Sequence, residues 1–203
     1  MRLVLDWDGT VTERDTLELV IDRFGDIATY RRTGALMGRD LSHDEALAQS
    51  FRTVRAPLDE VVGWVVDTVR VRAGFRELVD RHRPLVVSSG FRELIDPVLA
   101  REGVELEVLA NRVDARPDGW RISFREQSRC ATCGEPCKRS VLPAGEVTYV
   151  GDGYSDHCAA LAAARVFATG ELANYLDERG VPYQRFGDLR DVMLALSAEG
   201  GVG

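Results

Sequence analysis

The sequence predicts an α/β fold: a Rossmann-like parallel sheet with a small helical cap inserted after the first strand. Three observations predict it. Short apolar runs alternate with helical patterns along most of the chain, as strands and crossover helices do in a parallel sheet. The first run, Leu3-Val4-Leu5, leads directly into Asp6-Trp7-Asp8-Gly9-Thr10-Val11-Thr12. Between the first and second runs lies a purely helical stretch that is too long for a standard crossover.

In chain order, the expected strands are Arg2–Asp6, Pro84–Ser88, Val147–Gly151 and Arg165–Thr169. From Thr16 to about Val71 apolar residues recur at helical spacing: Leu17, Val20, Ile21 and Phe24, then Ala46, Leu47 and Phe51, then Leu58, Val61, Val62 and Val65. Ser42-His43-Asp44-Glu45 has capping-box spacing, so a helix is expected to start near His43. Pro57 suits the first turn of the next helix. Gly25 and Gly34 are expected to end helices. The cap is therefore placed at 15–72 and the core at 1–14 and 73–203. Val104–Asp114 and Trp120–Phe124 are expected to pair as a hairpin around Asp118-Gly119, a strong turn signal. Gly74-Phe75-Arg76-Glu77-Leu78 and Gly90-Phe91-Arg92-Glu93-Leu94 each open a helix and have no further copies, so they do not make a repeat architecture.

Composition bounds the function. The 203 residues are 45 % hydrophobic and 29 % charged, which suits one α/β domain with a real core. The formal net charge of −7 argues against nucleic acid or an anionic membrane as partner. No apolar run reaches spanning length, and no signal-peptide pattern precedes the first strand, so a cytoplasmic enzyme is the expectation.

Ligands of open α/β sheets bind at the carboxyl ends of strands, where Asp6 and Asp8 emerge. Two carboxylates so close need a cation or a shared proton. Val86-Val87-Ser88-Ser89-Gly90 ends the second run with hydroxyls and a glycine before a helix, which suits phosphate. Gly151-Asp152-Gly153-Tyr154-Ser155-Asp156 places carboxylates at another strand end, where a hard cation such as Mg²⁺ fits. Lys138 adds a positive charge at the start of a helical stretch. Each feature alone has a bland alternative: a polar turn, an acidic helix cap, a solvated lysine.

Taken together and in this order, the four motifs resemble the haloacid dehalogenase superfamily, and the helical insertion and Ala110-Asn111-Arg112 resemble its phosphoserine phosphatase-like branch. The resemblance spans nearly the whole chain. It implies Asp6 as the nucleophile that forms an aspartyl phosphate, and Asp8 as general acid, then base. It implies Mg²⁺ held by Asp6, the Asp8 backbone carbonyl and Asp152, with Asp156 supporting from behind. Ser88, the Ser89 N–H and Lys138 would hold the phosphoryl oxygens.

The chain departs from phosphoserine phosphatase at the substrate end. Asp15 stands where that enzyme has a Glu for the substrate amino group. Arg52, with Arg55 as competitor, matches the cap arginine for the substrate carboxylate, and Ser89 replaces a glycine. Cys130-Ala131-Thr132-Cys133-Gly134-Glu135-Pro136-Cys137 precedes Lys138. Three thiols so spaced read first as a metal loop and second as a redox site. A structural Zn²⁺ on Cys130, Cys133 and Cys137 needs a fourth ligand, for which His157 and Cys158 are both available; reduced thiols packing a loop are the alternative. The Cys-rich run resembles the subgroup containing 2-hydroxy-3-keto-5-methylthiopentenyl-1-phosphate phosphatase, and also the phosphocholine and phosphoethanolamine phosphatase-like proteins. The expected activity is Mg²⁺-dependent hydrolysis of a small phosphorylated metabolite. The competing readings are phosphotransfer to an acceptor hydroxyl, and a metal-binding interaction module with a vestigial site.

Overall fold

The computed structural model describes residues 2–125 and 128–199. The chain runs from β1 (Arg2–Leu5) into four helices, α1 (Thr16–Phe24), α2 (Ile27–Leu36), α3 (His43–Phe51) and α4 (Leu58–Thr68). It continues through α5 (Phe75–His82), β2 (Leu85–Phe91), α6 (Arg92–Glu102) and the strands β3 (Val108–Asp114) and β4 (Arg121–Ser123). A single 3₁₀ turn at Lys138–Val141 precedes β5 (Val147–Gly151). A second, at Tyr154–Asp156, leads into the short helix α7 (His157–Ala160). Then come β6 (Arg165–Ala168), α8 (Gly170–Glu178), β7 (Gln184–Arg185) and α9 (Leu189–Glu199).

The strands form one sheet in the order β4-β3-β2-β1-β5-β6-β7. Every pairing is parallel except β3 with β4, which closes the expected hairpin. The chain winds outward from β1 through β2 to β3, then returns to β5 on the other side of β1. The order reverses at β1/β5, the place where open α/β sheets bind ligands. Side chains alternate across the sheet. Leu3 and Leu5 enter the core layer shared with α5, α6 and α9, while Val4 joins Val87, Tyr149 and Leu172 in the opposite layer. Among the described residues no helix is long and apolar enough to cross a membrane.

Local chemistry explains most helix boundaries. Asp15 caps α1 by accepting from the N–H groups of Leu17 (2.7 Å) and Glu18 (3.0 Å). Asp26 caps α2 through Ala28 N–H. Ser42 and Glu45 form the expected capping box at α3, with Ser42 N–H donating to Glu45 Oε2 at 2.9 Å. Gly25 ends α1 as expected, but Gly34 lies inside α2, where it meets no neighbour that a β-carbon would displace. Pro57 is the residue before α4 rather than within its first turn. The stretch after Lys138 is one 3₁₀ turn, not the longer helix its apolar residues suggest, because Pro143 stops it. β2 runs on through Phe91, past the expected end at Ser88.

The chain passes between sheet and helices twice, side by side. Thr12 bridges Val71, and Glu13 N–H donates to Arg70 C=O while Arg72 N–H donates to Val11 C=O. The helices dock through Phe51 of α3, whose ring meets Phe91 edge-on at 4.6 Å and stacks at 6.1 Å from Trp120. Trp120 Nε1–H donates to Ala56 C=O, so the β3–β4 connection braces the end of α3.

Candidate active site

At the end of β1, Asp6 N–H still donates to Val150 C=O, extending the ladder one residue. Trp7 turns into the core against Phe75, which leaves Asp6 and Asp8 for the opposite side. A tight turn follows, with the amides of Thr10, Val11 and Thr12 all donating to Trp7 C=O. Gly9 has φ +78°, and a β-carbon there would sit 2.2 Å from Asp152 Oδ2, so only glycine fits. Arg72 clamps this turn from outside, donating to the carbonyls of Gly9 (2.8 Å) and Thr10 (3.0 Å).

Six of the expected residues converge here. Lys138 Nζ lies 2.5 Å from Asp6 Oδ1 and 2.6 Å from Asp156 Oδ1, and it is 3 % exposed. Asp156 also accepts from Tyr149 OH (2.6 Å) and from the amides of Asp152 and Gly153. Thr10 Oγ1–H donates to Asp152 Oδ1 at 2.7 Å. Ser88 Oγ–H donates to Asp8 Oδ2 at 3.2 Å and accepts from Gly90 N–H at 2.7 Å. Ser89 lines the cavity above, and Asn111 fixes it by donating from Nδ2 to Ser89 C=O.

Four carboxylates thus face one ammonium. Burial pushes Asp6 well above the usual carboxylate range, with the charge of Asp156 adding to it. Burial and then Asp15 raise Asp8 to about 7; burial and then Asp156 raise Asp152 to about 7. Asp156 is pushed up by burial too, but Lys138, Tyr149 and the backbone donors outweigh this and hold it below the usual range. Lys138 is shared by both carboxylates, yet Asp156 has three further donors, so Asp156 is the firmly ionised partner.

This donor set fits a divalent cation. Oxygens of Asp6, Asp152 and Asp156 lie within 4.8 Å of one another, all are hard ligands, and the negative charge exceeds what Lys138 offsets. Asp156 spends both oxygens on four protein donors, which leaves Asp6 and Asp152 the freer ligands.

The carboxylates open into a cavity of about 310 Å³ between the sheet and α1–α3, lined also by Asp15, Tyr30, Arg31 and His43. A neighbouring cavity of about 510 Å³ shares Ser89, His43 and Tyr154 and reaches Lys138 and the cysteine loop. Asp15 lines the smaller cavity, but its carboxylate already caps α1.

Arg52 is not in the site. It follows the last residue of α3, its side chain is exposed, and its carbonyl packs against Gly119. Phe51 takes the inward position instead, and Arg55 is exposed as well. The sulfurs of Cys130, Cys133 and Cys137 do converge, and Cys158 joins them. His157 does not: its ring stacks on Tyr175 with Nε2 3.1 Å from Glu171.

Sequence reasoning missed Arg72, Tyr149, Tyr30 and Arg31. Tyr149 sits in an apolar strand pattern that disguises its hydroxyl, and Arg72 acts across 62 residues.

Comparison with known proteins identifies the family. The family model of haloacid dehalogenase-like hydrolases matches residues 3–161. Relatives include 2-hydroxy-3-keto-5-methylthiopentenyl-1-phosphate phosphatases of Bacillus cereus (strain B4264) and Bacillus thuringiensis (strain Al Hakam). Each is 23 % identical over 209 aligned positions, covering 97 % of this chain and 95 % of the relative. Among solved structures, a phospho-aspartyl intermediate analogue of phosphoserine phosphatase superposes with TM-score 0.69 at 16 % identity, covering 95 % of this chain and 97 % of that one. A substrate-bound phosphoserine phosphatase complex gives 0.70 at 17 % identity, over 96 % and 97 %. The chain belongs to the haloacid dehalogenase-like hydrolase family.

Proposed function

We propose that the protein hydrolyses a small, soluble phosphomonoester in two steps through a phosphorylated Asp6, with Mg²⁺ as cofactor and in a cytoplasmic setting. One observation carries this reading: the two carboxylates of Asp6-Trp7-Asp8 have different partners. Asp6 lies against the Lys138 ammonium, whereas Asp8 accepts from the Ser88 hydroxyl and is raised to about 7. Burial raises Asp6, and the Lys138 ammonium beside it, joined by a bound divalent cation, would hold it as the anion that attacks phosphorus. A carboxyl that holds its proton near neutrality can give it to a leaving alkoxide.

With Lys138 on Oδ1, the other Asp6 oxygen is the attacking atom. The phosphoryl group passes to Asp6 while Asp8 protonates the departing oxygen. Asp8, now a carboxylate, takes a proton from water, which attacks the phosphoryl group and regenerates Asp6. Ser88, the Ser89 amide and Lys138 hold the phosphoryl oxygens through both steps. Asp6, Asp152 and the Asp8 carbonyl would hold the Mg²⁺, with Asp156 orienting the loop behind them. Bound there, the ion supplies charge neutralisation for the phosphoryl group.

Residues 15–72 act as the cap and 1–14 with 73–203 as the core, the paired crossing at Glu13 and Arg70 being the join. A cavity of about 310 Å³ admits a metabolite and excludes a folded protein substrate. Asp15 and Arg31 are the charged groups on its wall beyond the catalytic cluster, together with Glu171 at the edge. The pairing of an amino-group acceptor with Arg52 is absent, so phosphoserine is a poor candidate. The relatives' names put 2-hydroxy-3-keto-5-methylthiopentenyl-1-phosphate first on a substrate panel.

The test is phosphate release from a panel of phosphorylated metabolites by the purified protein with Mg²⁺, with and without added alcohols. Turnover of at least one small ester and free phosphate as product are expected. A phosphorylated alcohol as main product would move the reading to phosphotransfer. No turnover of any small phosphomonoester would overturn it.

A further inference from the structure

All four cysteines of the chain meet at one point. Three come from the loop before Lys138 and the fourth, Cys158, from the first turn of α7 on the far side of β5. Their sulfurs all lie within 4.8 Å of one another, with Cys130 Sγ and Cys158 Sγ 3.5 Å apart. A tetrahedral ion with Zn–S bonds of about 2.3 Å sets its sulfurs roughly 3.8 Å apart. A disulfide would need about 2.05 Å, and all four thiols are free.

The backbone around the first pair is shaped for a metal. Cys130-Ala131-Thr132-Cys133-Gly134 turns back on itself, with Gly134 N–H donating to Cys130 C=O at 2.8 Å and Gly134 at φ +74°. Thr132 N–H points at Cys130 Sγ, 3.4 Å away, which favours a thiolate there. Arg129 ties the turn down by donating to Gly134 C=O. Packing alone does not account for the cluster, because Cys133 is exposed while its sulfur still points to the other three.

We propose that Cys130, Cys133, Cys137 and Cys158 bind one Zn²⁺ in a closed Cys₄ site, and that this ion positions Lys138. Zinc would join the two segments that supply the buried ion pair. Cys137 is bonded directly to Lys138, and Cys158 lies two residues after Asp156, whose carboxylate meets Lys138 at 2.6 Å. The loop needs such a tie, because a single 3₁₀ turn is its regular structure between Arg129 and β5. With four thiolate ligands no coordination position stays open for substrate, so the ion is structural and separate from the carboxylate site. Metal binding stands independently of the hydrolytic reading; the effect on turnover rests on it.

The test begins with metal content. Protein purified in reducing, chelator-free buffer is expected to hold one zinc per chain, and protein from cobalt-supplemented growth to show the intense visible bands of tetrahedral cobalt thiolate. Cys133→Ser, at the exposed position, and Cys158→Ser should lose the zinc and expose Arg129 and Arg139 to trypsin. Their circular dichroism should stay native while hydrolysis falls roughly 10- to 100-fold, the usual cost of loosening a supporting group. Absence of zinc with four freely titrating thiols would overturn the site, as would bound iron, a Cys130–Cys158 disulfide, or full zinc content in Cys133→Ser. The cobalt spectrum decides the matter on the unaltered protein should a variant not fold. Zinc without turnover of any phosphomonoester sinks the hydrolytic reading alone, and turnover without zinc sinks this site alone.

Discussion

On the floor of the 310 Å³ cavity, Asp6, Asp8 and Asp152 are held by groups arriving from distant parts of the chain; on its wall, α1–α3 hold their side chains mostly through near neighbours. Lys138 reaches Asp6 across 132 residues, Thr10 reaches Asp152 across 142 and Ser88 reaches Asp8 across 80. Around the wall, Thr33 bonds Thr29 and Ser50, and Asp15 bonds the amides of its own helix. Glycines tighten the floor further, since a β-carbon at Gly90 would lie 2.6 Å from Asp8 Oδ2 and one at Gly151 2.6 Å from Asp156 Oδ2. The lesson is a division of labour. Under the proposed mechanism the chemistry sits where distant contacts fix the reacting groups, and selectivity sits where one side chain can change without disturbing the rest.

The most severe break is on the floor. Asp6→Asn keeps the shape of the site and leaves Lys138 paired with Asp156, so the fold survives. It removes the attacking anion, and turnover should fall by about four orders of magnitude or more, as for other nucleophiles that act as part of a unit. Single-turnover assays with circular dichroism check both halves. Full activity in this variant would overturn the mechanism.

Next in size is Asp8→Asn, which removes a proton donor while keeping the Ser88 contact within reach. Alkyl phosphates should lose roughly 10²- to 10⁴-fold in the phosphorylation step. A nitrophenyl ester, whose leaving group needs no proton, should lose far less in that step. The same carboxyl sets a pH limb. With Asp8 raised to about 7, the acid form dominates below that pH and is lost above it. For the unaltered protein, kcat/KM on alkyl esters should therefore fall as pH rises through about 7. Burst kinetics on the nitrophenyl ester should show no such fall.

The floor was far more legible in the sequence than the wall, for a physical reason. Asp6, Asp8, Ser88, Asp152 and Asp156 each follow a short apolar run, and a parallel sheet aligns the ends of such runs whatever lies between them. The hairpin at Asp118-Gly119 and the capping box at Ser42 were readable because their signals are local. What the sequence concealed depends on phase and distance. Whether Phe51 or Arg52 faces inward depends on where α3 stops. His157 and Cys158 are adjacent on one short helix, about 100° apart around its axis, so one faces the cysteine loop and the other Tyr175. Arg72 and Tyr149 act through contacts that no local pattern encodes.

On the wall, Tyr30 and Arg31 are the sharper probes. The Tyr30 hydroxyl faces Asp15, whose carboxyl is raised by burial, and Arg31 brings a positive charge to the same cavity. Arg31→Ala should raise KM about tenfold for an anionic leaving group, the scale of one charged contact, with kcat nearly unchanged. Tyr30→Phe should shift KM by less. A collapse of kcat in either variant would mean that the wall takes part in the chemistry, and the division between floor and wall would fail.

The smallest effect is expected at Arg52, and it discriminates between resemblance and geometry. If this residue held a substrate carboxylate, as the matching cap arginine of phosphoserine phosphatase does, Arg52→Ala would cost a large part of substrate binding. Here its side chain points to solvent and its carbonyl packs on Gly119, an interaction that alanine retains. The substitution should therefore leave kcat and KM for the preferred substrate within about twofold, since exposed positions away from the site usually change little. The companion change Gly119→Ala should disturb the protein more, because a β-carbon would lie 2.1 Å from the Arg52 carbonyl oxygen at a φ of +119°. Together the pair separates the side chain from the backbone it rides on. A KM increase of tenfold in Arg52→Ala would place the arginine in the cavity during turnover, and would require the end of α3 to rearrange when substrate binds.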